Sequence, residues 1–219
     1  MEFTRYAVYL TPESGRFAHA GATWLGWDIS TGQPVGTPDD AITKRPRKYG
    51  FHGTIKPPFH LAQGQNRDAL EQAFSAFCAD ARPIMLQGLT LARIGGFIAL
   101  VPTGDFSELA DLAGHAVSNL DTFRAPPSEQ DLARRRQARL TQDQDANLVK
   151  WGYPYVFDDF RFHMTLSGPL KNDLFDTVMD QAQTHFAPCL PSPFLIKSLT
   201  LVGERHDGMF QEIRRCQLG

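Results

Sequence analysis

The sequence predicts an α+β protein built from two similar lobes, and three observations carry that expectation. The string Phe51-His52-Gly53-Thr54-Ile55-Lys56-Pro57-Pro58-Phe59 returns as Phe162-His163-Met164-Thr165-Leu166-Ser167-Gly168-Pro169-Leu170, ungapped, at an offset of 111 residues. A second stretch, Pro83 to Leu91, lines up with Pro193 to Leu201 at an offset of 110. Between the two landmarks a helical pattern recurs each time. A shared order of elements argues for internal duplication, because chance similarity in one string would not bring its flanks along.

The elements follow in order. Tyr6 to Leu10 is a compact β-type run, and Thr11-Pro12 behind it reads as an N-cap and first-turn proline for a helix carrying Phe17, Ala20, Trp24 and Leu25. Residues 28–48 are rich in Gly, Pro, Thr and Asp and predict a long loop ending in the basic run Lys44-Arg45-Pro46-Arg47-Lys48. The first His string then alternates as a half-buried strand does, so His52 and Thr54 share one face. Asn66 caps a helix whose Leu70, Ala73, Phe74, Phe77 and Cys78 form one apolar stripe. Ile84 to Leu91 and Phe97 to Val101 flank Gly95-Gly96 as a hairpin, and Asp105 with Glu108 resembles a capping box for a helix reaching Leu120. A second helix from Leu174 to Phe186 and strands around Asp207-Gly208 close the chain.

Residues 121–158 have no counterpart in this frame, which divides a single domain into a first repeat at about 49–120, an inserted arm, and a second repeat at about 159–219. Ser128 with Asp131 starts a helix there. Arg134, Arg135, Arg136 and Arg139 cluster on it, with Asp131 and Arg135 at ion-pairing spacing. The segment reads either as a solvated helix or as an arm over a cleft.

Composition narrows the function. With 42% hydrophobic residues and a formal net charge of −2, the chain is ordinary for a globular protein, and nothing in bulk charge suits coating nucleic acid or an anionic membrane. Cys78, Cys189 and Cys216 fit neither a disulfide framework nor a thiolate zinc site. No membrane-length apolar run or signal core is present, so a soluble, unprocessed, cytoplasmic monomer is the expectation.

The chemistry lies in the doubled string. In-line displacement at phosphorus needs an acid and a base on opposite flanks, and two histidines from related lobes meet that need. Thr54 and Thr165 would donate to the non-bridging oxygens, where charge must be held. His52, His163, Thr54 and Thr165 are therefore the expected catalytic set. Lys56 continues the same face where the second copy has Ser167. With Arg47 from the basic run and Tyr153 from the aromatic stretch Trp151-Gly-Tyr-Pro-Tyr, it forms the expected substrate-binding set. No H-E-x-x-H occurs and no carboxylate or thiolate repeats beside the histidines, so neither a metal nor another cofactor is expected.

These motifs, His52-Gly-Thr54-Ile and His163-Met-Thr165-Leu, resemble those of the 2H phosphoesterase superfamily. The strings Tyr49 to Phe59 and Phe160 to Gly168 are similar to a bacterial subgroup of unknown function associated with phosphonate metabolism. The resemblance implies a bilobal fold, each lobe an antiparallel sheet with helices on its outer face, and a metal-independent cleft between the lobes. It further implies hydrolysis of a small cyclic phosphate, a phosphoribosyl cyclic phosphate or a 2′,3′-cyclic nucleotide. Processing of short RNA ends by the same chemistry, prompted by the two basic clusters, and non-catalytic sensing of a phosphorylated metabolite stand as alternatives.

Overall fold

A computed structural model describes residues 2–219. Strand β1 (Arg5–Leu10) leads to helix α1 (Arg16–Leu25), the short pair β2 (Trp27–Asp28) and β3 (Gln33–Pro34), helix α2 (Asp40–Arg47), and the first His strand, β4 (Gly53–Phe59). Helix α3 (Arg67–Asp80) and strands β5 (Ile84–Leu86), β6 (Gly88–Ile94) and β7 (Phe97–Thr103) follow. Next come helices α4 (Ser107–Asn119), α5 (Glu129–Arg136) and α6 (Gln142–Trp151), the second His strand β8 (Met164–Thr165) and helix α7 (Phe175–Phe186). Strands β9 (Phe194–Ile196), β10 (Ser198–Glu204) and β11 (Phe210–Gln217) end the chain.

Seven strands form one antiparallel sheet in the order β11-β10-β1-β4-β8-β7-β6. The α+β class is as expected, and the two halves meet edge to edge where Gly53 pairs with Met164. Those two residues are equivalents at the motif offset, so a pseudo-two-fold axis passes between them. The registers on either side agree: Leu10 and Tyr9 face Gly53 and Thr54, just as Leu100 and Ala99 face Met164 and Thr165. A second small sheet obeys the same axis, since Ile84 pairs with Ile196 and Leu86 with Phe194 about a central Met85–Leu195 pair.

The order strand, helix, His strand, helix, short strand, strand runs once over Arg5–Ile94 and again over Phe97–Glu204. This frame differs from the expected division at 49 and 159. The strand and helix before each motif belong to the repeat, and the arm occupies the topological place of β2, β3 and α2. A fixed offset could not reveal this, because β1 and β7 are 90 residues apart while the motifs are 111 apart. The final strand of each repeat pairs with the first strand of the other, β6 with β7 and β10 with β1.

Apolar residues on one sheet face, among them Val8, Leu10, Ile55, Leu100, Met164 and Leu201, pack under the helices in one continuous core. Helix α3 shows why: Asn66 caps it by accepting from the Ala69 amide, and Leu70, Phe74, Phe77 and Cys78 fall on the buried stripe. Each such side chain removed from water contributes about 1.5–3 kcal/mol. The opposite sheet face carries a smaller cluster, including Tyr9, Trp27, Ile29 and Phe210. It is on this side that the first motif's His lies.

Three local expectations need correction. Residues 28–48 are not a loop, because Asp39 accepts from the Ala41 amide and starts α2. Thr11 does not cap α1: its hydroxyl is held by Thr200 at 2.6 Å and by Arg215 at 2.8 Å, and the helix begins after Gly15. Asp105 bonds the Ser107 amide and hydroxyl rather than forming a box with Glu108. The reciprocal capping box occurs instead at Thr141 and Gln144, opening α6.

Candidate two-histidine active site

Each motif histidine is the residue immediately before its strand. Because Gly53 pairs with Met164 in antiparallel sense, His52 stands across from Thr165 and His163 across from Thr54. The two histidines are thus diagonal neighbours, about 7–8 Å apart at the backbone. Gly53 and Met164 turn to the other face. Gly53 must lack a side chain there, since a Cβ would sit 2.2 Å from the Phe162 ring.

Both rings are held in the same way. His52 Nδ1 lies 2.9 Å from the Gly50 carbonyl and His163 Nδ1 lies 2.8 Å from the Arg161 carbonyl, each two residues back. A carbonyl only accepts, so Nδ1 carries the proton in both rings and Nε2 is left for chemistry. Gly50 has φ +69°, the left-handed region, and a Cβ there would meet Ile29 at 2.7 Å. His52 Nε2 accepts from the Thr54 hydroxyl at 3.1 Å. The bond shows that Thr54 reaches the space in front of the imidazole.

The symmetry breaks in what surrounds the rings. Tyr9 stacks on His52 with centroids 3.8 Å apart at 23°, and Tyr49 approaches at 6.1 Å. The residue equivalent to Tyr9 is Ala99, so His163 lacks that cover, and its ring contact among the described residues is with Phe97, at 5.8 Å and tilted. Burial, with a smaller push from the charge of His163, lowers His52 to about 4 against the opposing bond to Gly50. His52 is therefore neutral at pH 7 and has an available lone pair. His163 lines a cavity of about 210 Å³ with Thr54, Tyr153, Tyr155 and Arg161.

Of the expected substrate-binding residues, the structure brings Tyr153 to this cavity and places Lys56 and Arg47 elsewhere. Tyr9 faces Thr54 but Val8 faces Lys56, so one step on β1 spans two on β4. That bulge turns Lys56 onto the helix face. There Lys56 is 2% exposed, donates to the Val117 carbonyl at 2.8 Å and lies 3.6 Å from Asp121. Arg47 donates to the Leu25 carbonyl, Thr43 and Asp40, tying α2 to the end of α1. Its role is internal to the scaffold.

The arm supplies what sequence reasoning missed. Asp131 pairs with Arg134 rather than Arg135, and Arg136 pairs with Asp145. Arg135 is left to sit 4.6 Å above the Tyr153 ring. The sequence signal was the Arg run itself, read as ion-paired because the helical spacing allowed either partner.

Two His-x-Thr strings are thus joined across a pseudo-two-fold axis on one antiparallel sheet. The chain belongs to a family described as a protein of unknown function, DUF1045, whose model matches residues 54–211. It is 38% identical over 219 residues to a Janthinobacterium sp. (strain Marseille) protein named ribose 1,5-bisphosphate phosphokinase PhnN, covering 94% of this chain and 48% of that one. A Laribacter hongkongensis protein of the same name is 34% identical over 224 residues, covering 98% of this chain and 51% of the relative. The chain spans about half the length of these curated relatives. Among solved structures, E. coli LigT complexed with 3′-AMP matches with a TM-score of 0.47 at 13% identity over 99% of each chain. TT0787 of Thermus thermophilus matches with a TM-score of 0.45 at 14% identity, over 98% of this chain and 97% of that one.

No helix is long and apolar enough to cross a membrane, and no group of three or more His, Cys, Asp or Glu stands ready to hold a metal ion among the described residues.

Proposed function

We propose that the protein is a phosphodiesterase that opens a small cyclic phosphate by two-histidine proton transfer, without a metal. The observation that carries this reading is the Gly53–Met164 pairing, which sets an imidazole and a hydroxyl from each repeat on one side of the sheet. His52, neutral and with Nε2 free of a proton, takes a proton from water as it attacks phosphorus. One P–O bond forms, the ring P–O bond opposite breaks, and His163 in its charged form delivers a proton to the departing sugar oxygen. Thr54 and Thr165 donate to the non-bridging oxygens. The net change is addition of one water to give a phosphate monoester.

The name of the relatives supports a ribose-based substrate, since opening a ribosyl cyclic phosphate yields a ribose phosphate. The phosphokinase work in that name needs a nucleotide site, and this chain carries no Gly-x-x-x-x-Gly-Lys-Ser/Thr loop, so that work fits the half of the relatives outside the match. Of the basic clusters that prompt the RNA reading, Arg47, Arg134 and Arg136 are each engaged by a carboxylate.

The test is turnover of ribose 1,2-cyclic phosphate and of 2′,3′-cyclic nucleotides by wild type, His52→Ala and His163→Ala, with and without EDTA. Loss of either proton carrier should cost about 10²–10⁴ in rate. Activity kept in both variants, or abolished by the chelator, overturns the proposal.

A further inference from the structure

Within the inserted arm, the chain that carries α5 and α6 departs after Arg124 and returns at the end of α6, and one side chain joins the two ends. On the departing side the backbone is stitched to the segment behind β4. The Ala62 amide donates to the Phe123 carbonyl at 2.9 Å, the Ala125 amide donates to the His60 carbonyl at 2.8 Å, and Leu61 and Arg124 form a β-bridge between them. Pro126 and Pro127 follow at once. They keep the exit extended and offer no amide to a neighbour.

The returning side has a gap that the sequence dictates. Carbonyls in the last turn of a helix lose their amide partners, and that of Lys150 would ordinarily look to residue 154. Residue 154 is proline and has no N–H. The Arg124 guanidinium supplies the missing donor. Its Nη2 donates to the Lys150 carbonyl at 2.8 Å and to Asp121 Oδ2 at 3.1 Å, its Nε to Asp121 Oδ1 at 2.8 Å, and its Nη1 to the Ala125 carbonyl at 3.2 Å. A planar fork can serve a carboxylate and two carbonyls at once, and a cation at a helix C-terminus also meets the negative end of the dipole. Gly152 makes room for it: its φ is +75°, and a Cβ there would stand 3.0 Å from Arg124 Nη1.

Immediately beyond this joint lies one wall of the two-histidine cavity. Tyr153, Tyr155, Phe157 and Asp159 line that cavity together with Thr54 and His163. The arm touches the wall twice more, where Gln144 Nε2 donates to Asp159 Oδ1 at 2.9 Å and where Arg135 lies over the Tyr153 ring. Phe157 holds a φ of +53°, an outlier for a bulky residue. Backbone in that region persists only where its surroundings impose it. The wall therefore depends on what anchors it at either end.

We propose that Arg124 is a positioning residue for the active site: by tying the exit of the arm to its return, it holds residues 153–159 where they receive the part of the substrate that does not react. The kinetic half of this rests on the phosphodiesterase reading, and the structural half can be tested without it. The full chain is compared as wild type, Arg124→Gln and Arg124→Lys, with Arg134→Gln, which removes an exposed ion pair within the same arm, as the control. Asp121 retains Lys56, 3.6 Å away, when Arg124 is replaced, so the substitution strands no carboxylate.

Hydrogen exchange followed by mass spectrometry reads the wall directly. In Arg124→Gln, peptides within residues 142–160 should exchange about tenfold faster while those of α3 and β10 keep wild-type rates. On ribose 1,2-cyclic phosphate or 2′,3′-cyclic nucleotides, KM should rise about fivefold with kcat within about threefold, because binding is lost equally from ground and transition states. A variant that is merely part-unfolded would lose kcat and keep its KM. Arg124→Lys, which keeps the charge but not the fork, should fall between wild type and Arg124→Gln, and Arg134→Gln should match wild type. If Arg124→Gln fails to fold, Arg124→Lys is held to the same two readouts.

Wild-type exchange over residues 142–160 in Arg124→Gln overturns the proposal, as does a loss of kcat at unchanged KM; in either case turnover by wild type leaves the phosphodiesterase reading standing. Faster exchange confined to this segment, together with no turnover of any cyclic phosphate by wild type, supports the joint and overturns the phosphodiesterase reading.

Discussion

Replacing Tyr9 tests whether stacking sets the protonation state of His52. The Tyr9 ring covers one face of the imidazole at 3.8 Å, and burial lowers His52 from 6.5 to about 4. A displacement of about 2.5 units corresponds to roughly 3 kcal/mol of preference for the neutral ring. If His52 is the base, the acid limb of kcat/KM on a cyclic phosphate lies at about 4, because this ratio reports the free enzyme. Tyr9→Ala opens that face to water and should move the acid limb upward by at least about one unit, toward the usual value of about 6.5. The same substitution removes a fully buried aromatic and should cost about 3–5 kcal/mol of stability, so profiles are measured well below its melting temperature. Tyr9→Phe is the control. The Tyr9 hydroxyl is buried and finds no hydrogen-bond partner, so its removal should leave stability unchanged or higher by about 1 kcal/mol, with the limb still near 4. A wild-type limb near 6.5, or one that does not move in Tyr9→Ala, would refute the reasoning.

Three further outcomes follow from the fold. Lys56→Met should leave kcat/KM within about threefold, since Lys56 bonds α4 and not the cavity; a loss comparable to that of a histidine variant would place it back in the site. Lys56 also titrates at about 8 in the folded chain, lowered chiefly by burial, against about 10.4 when unfolded. Between those values the unfolded chain holds the extra proton, so this contribution to stability grows as pH rises, and chemical denaturation at pH 7 and pH 10 should show that increment in wild type but not in Lys56→Met. Gly53→Ala forces a Cβ to 2.2 Å from Phe162, a ring only 3% exposed that has nowhere to move. Overpacking of this kind costs about 1–3 kcal/mol, or about 2–4 °C of melting temperature per kcal/mol at this size, and turnover should fall even where the variant is fully folded.

What the sequence made legible was whatever repeats at one spacing. The His-x-Thr strings and the Pro83 and Pro193 stretches share nearly one offset, so the duplication and the four catalytic candidates could be read directly. The strand β7 was read only as half of a hairpin and not as the twin of β1, because the second His connection is longer by 21 residues and shifts the match out of register. Lys56 was misplaced for a related reason. Strict alternation puts it beside Thr54, but alternation fails at a bulge, and a bulge is a property of the pairing with β1 rather than of β4 alone. Arg135 was hidden by degeneracy, since helical spacing offers Asp131 to Arg134 and Arg135 alike and only the position of Tyr153 decides between them.

These departures fall on one side of the pseudo-two-fold axis or the other, and together they give the two halves of the site different work. Tyr9 against Ala99 makes His52 a desolvated ring held neutral, while His163 is left without that cover beside a cavity. The longer connection in the second repeat brings Tyr153 to that cavity and Arg135 onto its ring, where the first repeat has the short α2 and Tyr49 with Lys48. A strictly symmetric site would hold two equivalent imidazoles and could not assign acid and base before the substrate bound. Stacking on one ring distinguishes the two imidazoles in the free protein.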